Sequence, residues 1–100
     1  MTPSISTHVL DTGRGEPARG VRVELYRQTQ RLSVQETNHD GRIPDLVRGP
    51  LEAGPYRLIV HLPTPFFSRL ELEFTIADAA RSYHIPLLVS PYACTVYRGG

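Results

Sequence analysis

VRVELYR, residues 21 to 27, alternates without a break, with Val21, Val23 and Leu25 on one side and Arg22, Glu24 and Tyr26 on the other. Successive side chains of a strand point to opposite faces, so this pattern predicts a strand with one face in a core and one in water. The same pattern recurs on both sides of it. RLSVQET (31 to 37) places Leu32 and Val34 at alternate positions, and NHDGR (38 to 42) follows with an Asp-Gly pair suited to a tight reversal, predicting another strand near Arg42. Upstream, Ile5 to Leu10 reads as a strand stopped by the turn-rich DTGRGEPARG. Downstream, PYRLIVHL (55 to 62), SRLELEFTIA (68 to 77), HIPLLVS (84 to 90) and YACTVYR (92 to 98) complete the series, with Leu70, Leu72, Phe74 and Ile76 expected to face inward.

About eight short strands at intervals of about 8 to 12 residues are the pattern of an all-β, two-sheet sandwich. ADAARSY (77 to 83) has modest helical character but is too short to hold a helix alone, so it reads as a turn and little or no helix is expected. No repeat or linker interrupts the chain, and residues 1 to 100 read as a single domain.

Composition removes several classes of function. All eleven basic residues are arginine, which excludes a lysine Schiff base or lysine general base. They are scattered without interleaved aromatics, so nucleic acid is not an expected partner. The one cysteine, Cys94, forbids an internal disulfide and any multi-cysteine metal site. MTPSISTHVL lacks the charged start and apolar run of a signal peptide, and no apolar run approaches a membrane span. The expectation is a cytoplasmic protein with no membrane partner.

Strand parity then assigns the histidines. His8 shares a face with Leu10, and His84 one with Pro86 and Leu88. In the last strand Ala93, Thr95 and Tyr97 lie opposite Tyr92, Cys94, Val96 and Arg98, so both faces carry apolar groups. A strand apolar on both sides suggests that another copy of the chain covers its outer face and orders the tail. His39 reads as a solvated turn residue and His61 as an ordinary one near a strand end. On spacing alone Arg42 is a solvated turn arginine, Arg98 a partner for the terminal carboxylate, and two histidines without a carboxylate pair give little support to a metal site.

GEPARGVRVELY, TNHDGR and GPYRLIV together resemble prealbumin-like sandwich domains, and STHVLDT paired with YHIPLLVSPY and a closing Tyr-Arg-Gly resembles the hydrolase branch of the transthyretin-like family across nearly the whole chain. The resemblance implies an eight-stranded sandwich assembled as a homotetramer, a dimer of dimers, with sites in a channel between dimers. It implies hydrolysis of the N1–C6 amide of 5-hydroxyisourate in urate degradation, without metal or organic cofactor. By position it assigns catalysis to His8, Arg42 and His84 and substrate contacts to Tyr97, Arg98 and Thr95. The chain differs from the family in closing on YRGG where a serine is usual, in reading YACTV before it, and in a shortened segment before Phe66-Phe67 that normally holds a short helix. Two other functions fit the same fold: a non-catalytic carrier of a small ligand, and a structural sandwich module.

Overall fold

The computed structural model describes residues 2 to 100. Among these residues nine strands form, β1 (Ile5–Asp11), β2 (Glu16–Pro17), β3 (Arg22–Arg27), β4 (Gln30–Glu36), β5 (Arg42–Ile43), β6 (Gly54–His61), β7 (Arg69–Ile76), β8 (Tyr83–Ser90) and β9 (Ala93–Val96). No helix occurs among the described residues, so none is present there that could cross a membrane. One sheet runs β2-β1-β8-β9, with β5 also paired to β1, and the other runs β4-β3-β6-β7. β1 and β8 are parallel and every other pair is antiparallel.

Alternation fills the space between the sheets. Ile5 and Val9 of β1, Val23 and Leu25 of β3, Leu58 and Val60 of β6, and Leu87 and Val89 of β8 are buried together. Thr7, on the inner face of β1, is also buried and hydrogen-bonds the Ile85 carbonyl at 2.7 Å, so its hydroxyl is not left unpaired. The ADAARSY segment is a turn, closed by the Tyr83 hydroxyl, which accepts from the Asp78 amide and donates to its carbonyl.

Three features depart from the strand-by-strand expectation. β2 and β5 have only two residues each, which raises the count to nine. Of the four inward residues of β7 only Ile76 is fully buried, because β7 and β9 form neighbouring open edges with a cleft of about 260 Å³ between them, lined in part by Leu72, Phe74, Ile85 and Val96. The tail is also held by its own chain. Strand geometry stops at Val96, after which the Tyr97 amide bonds the Pro86 carbonyl, the Gly99 amide bonds the His84 carbonyl at 2.8 Å, and the Arg98 guanidinium lies 4.9 Å from the centre of the Tyr83 ring. The β6–β7 connection is short, closed by a bond from the Leu62 amide to the Ser68 carbonyl, and leaves Phe66 and Phe67 packed edge to face on the surface.

On the outer face of the second sheet, Glu24 is buried beneath a cluster of polar groups. His61 Nε2 lies 2.6 Å from its carboxylate, the Tyr26 hydroxyl donates to it at 3.0 Å, and Arg22 and Arg31 stand 3.7 Å away. The bond to His61 holds the Glu24 carboxyl below the usual carboxylate range despite burial, which acts the other way. A depressed carboxyl pKa stabilises the fold above the unfolded value of about 4.5, and that contribution disappears as pH falls through the folded value. The stability difference between wild type and Glu24→Gln is therefore expected to shrink on acidification, as read from urea midpoints over a pH series.

Candidate active site

The candidate site lies on the outer face of the first sheet, and three neighbouring strands build it. Burial of Ile5, Thr7 and Val9 turns Ser6 and His8 outward. β8 runs parallel to β1 with Ser6 opposite His84 and His8 opposite Pro86. On the other side of β1, β5 places Arg42 opposite His8. Adjacent strands are about 4.8 Å apart, so the ladder alone brings these groups to one patch.

The turn before β5 is fixed from within. Asn38 Oδ1 accepts from the amides of Asp40 and Arg42 at 2.9 and 3.0 Å, and the Val9 amide donates to the Gly41 carbonyl at 2.8 Å. Gly41 has φ of 75°, and a Cβ there would stand 2.4 Å from the Val9 carbonyl oxygen. Glycine therefore meets both a conformational and a steric requirement at the position next to Arg42. His8 Nε2 lies 3.0 Å from the Asp40 carbonyl, which can only accept, so this nitrogen carries a proton. No carboxylate pairs with Arg42 among the described residues, which leaves its guanidinium available to a ligand.

His84 is held on two sides. Its Nδ1 is 2.9 Å from Ser6 Oγ, and its ring packs against Gly99. Burial lowers its pKa, and the Arg42 charge and the neighbouring His8 lower it further, while contact with the Ser6 backbone acts weakly in the opposite direction. The imidazole is consequently neutral at pH 7, as a base must be. Ser6, Thr7, Arg42, Ile43, Pro44 and His84 line a shallow cleft of about 300 Å³.

His8, Arg42 and His84 thus come together within one chain. Tyr97 is half exposed, its amide bonded to Pro86, and it lines the cleft between β7 and β9, not the one lined by Arg42 and His84. Thr95 shares the outward face but pairs with Leu88, four residues along β8 from His84 and hence about 13 Å away at the usual strand rise. Arg98 is turned to Tyr83 and away from the cleft. Ser6, absent from the sequence-based site, is two residues before His8 on the same face, and its partnership with His84 depends on a register between strands 78 residues apart.

Gly99 makes the tail part of this geometry. A Cβ added there would meet His84 Cδ2 at 2.8 Å and Pro86 Cγ at 3.2 Å, a contact relieved only by moving the ring or the tail. Gly99→Ala is expected to lower kcat about tenfold with little effect on the urea midpoint, because displacements of about 1 Å at a reacting group are costly.

Comparison with known proteins agrees with this architecture. The family described as HIUase/Transthyretin family matches residues 5–99. A Deinococcus radiodurans protein named 5-hydroxyisourate hydrolase is 42% identical, with 97% of this chain and 96% of that protein covered. Their alignment runs to 114 positions, longer than this chain, so the relative carries residues that are missing here. The structure of Klebsiella pneumoniae 5-hydroxyisourate hydrolase superposes with a TM-score of 0.90 at 34% identity, covering 99% of this chain and all of that one. Sea bream transthyretin in complex with thyroxine, at 24% identity and a TM-score of 0.87 over 96% of this chain and 94% of that one, shares the fold. The chain belongs to the HIUase/Transthyretin family.

Proposed function

We propose that this chain is a cyclic amide hydrolase of purine metabolism that opens the ring of 5-hydroxyisourate at its N1–C6 bond, giving 2-oxo-4-hydroxy-4-carboxy-5-ureidoimidazoline. The observation that carries the reading is the convergence of His8, Arg42 and a neutral His84 on one outward patch. Relatives covered over nearly their full length and named for this hydrolysis support it.

Amide hydrolysis needs a base for water, a counter-charge for the oxyanion and a proton for the departing nitrogen. His84 takes a proton from water as the hydroxyl adds to C6. Arg42 orients the ring and stabilises the oxygen anion that forms. Collapse of this intermediate breaks N1–C6, and N1 receives a proton from the His8–His84 pair. An imidazolium beside Arg42 is a strong acid and gives its proton back readily. Tyr97, Thr95 and Arg98 contribute substrate contacts from the tail once copies of the chain assemble.

That assembly is proposed to be a homotetramer. Its support is the pair of open edges at β7 and β9 and the apolar cleft between them, which a second copy would cover. Stopped-flow absorbance with uricase generating the substrate in place tests the function. The hydrolase reading expects decay of 5-hydroxyisourate to accelerate in proportion to added protein. A carrier would leave the uncatalysed rate unchanged and bind the compound stoichiometrically.

A further inference from the structure

We infer that Ser6 is a positioning residue that fixes His84 as the tautomer protonated on Nδ1, leaving the Nε2 lone pair to take the proton from water. This deepens the hydrolase reading and rests on it for the identity of the reaction.

The contact itself, 2.9 Å between Ser6 Oγ and His84 Nδ1, permits either direction, because a hydroxyl both donates and accepts. The surroundings decide between them. Burial and the nearby Arg42 charge keep the ring neutral, so it holds one proton for two nitrogens. With Nδ1 engaged by the Ser6 hydroxyl, only Nε2 is open to water, and a neutral ring that takes a proton there carries its own on Nδ1, donating to Ser6 Oγ. Gly99 lies against Cδ2, and Nε2 makes no hydrogen bond among the described residues, which leaves it available as a base.

The fold gives Ser6 this position through the backbone. Ser6 and His84 are direct partners in the parallel β1–β8 ladder, so the hydroxyl is set by strand register and not by a mobile loop. The arrangement also separates the two histidines. His8 keeps its proton on Nε2 for the Asp40 carbonyl, whereas His84 keeps its proton on Nδ1.

The test is two-bond proton–nitrogen NMR of histidine-labelled protein above the imidazole pKa, with the His84 signals assigned through His84→Gln. In the wild type, His84 Nδ1 is expected to appear protonated and Nε2 unprotonated. Ser6→Ala is expected to give a mixture of tautomers and a kcat lower by about three- to tenfold at unchanged KM, the factor set by the net worth of one hydrogen bond. Ser6→Thr, which retains the hydroxyl and suits a strand, restores both readouts. A wild-type His84 protonated on Nε2, or a Ser6→Ala variant with unaltered tautomer and kcat, overturns the assignment. The spectrum requires no substrate, so failure of the wild type to hydrolyse 5-hydroxyisourate sinks the hydrolase reading separately, and a poorly folded Ser6→Ala still leaves the wild-type tautomer to decide.

Discussion

His84→Ala is expected to lower kcat on freshly generated 5-hydroxyisourate by about 10²- to 10⁴-fold, the range supplied by a positioned general base. KM should change little, since the ring abstracts a proton and the substrate is oriented mainly by Arg42. The variant should remain folded. His84 is only half-buried, and its ladder bonds and the bond to Gly99 are made by backbone atoms that alanine retains. Its pH profile should change as well. Wild-type kcat/KM is carried by neutral imidazole and falls as pH drops through the His84 pKa, which burial and the neighbouring Arg42 charge place below the usual value of about 6.5. Without the imidazole, the residual rate should lose that acidic limb. Stopped-flow progress curves over a pH series measure both effects.

Arg42→Ala is expected to cost about 10²- to 10³-fold in kcat, the usual loss on removing an oxyanion donor. The exposed guanidinium has no acidic partner among the described residues, so the stability change should stay within about 0.5 kcal/mol. A second consequence separates this variant from a general disturbance of the site. Arg42 lowers the His84 pKa by its charge, so its removal should move the acidic limb of the surviving activity toward higher pH. Arg42→Lys retains the charge but loses the planar fork of donors, and should keep the limb near its wild-type position while recovering only part of the rate. Steady-state kinetics on the two variants across pH resolve charge from geometry.

The alternation in VRVELYR gave the strand and its inner face directly, because Val23 and Leu25 are fully buried. It could not give the condition of the outer face. Glu24 was read as solvent-facing, yet His61, Tyr26 and two arginines cover it, and His61 comes from a strand 37 residues away. Period two tells which side a residue faces and nothing about what lies over it. In the same way Leu70, Leu72 and Phe74 point inward as read but reach only the open rim, since their exposure depends on where the sheet ends.

The site was legible in part for the same reason. Parity told which residues share a face with His8 and with His84, but only the parallel β1–β8 pairing makes those faces continuous, and such long-range register has no local signal. The assignment of His8, Arg42 and His84 therefore came through resemblance to the transthyretin-like hydrolases. Ser6 escaped because a serine in a strand is unremarkable until its partner is known. The tail was expected to need a neighbouring copy, whereas Gly99 and Arg98 tie it to β8 residues of the same chain. Gly100 has no atom outside its own chain neighbours within 4 Å of where a Cβ would lie, so the place of the family's usual serine opens onto free space in one chain.

The dependence of wild-type kcat/KM on pH, measured by stopped flow on 5-hydroxyisourate formed in place, tests most directly whether a neutral His84 beside Arg42 performs the chemistry. The account predicts a level profile through neutrality that declines only below the ordinary imidazole pKa, and that disappears in His84→Ala. A rate that rises on acidification, or one that His84→Ala leaves intact, would contradict it.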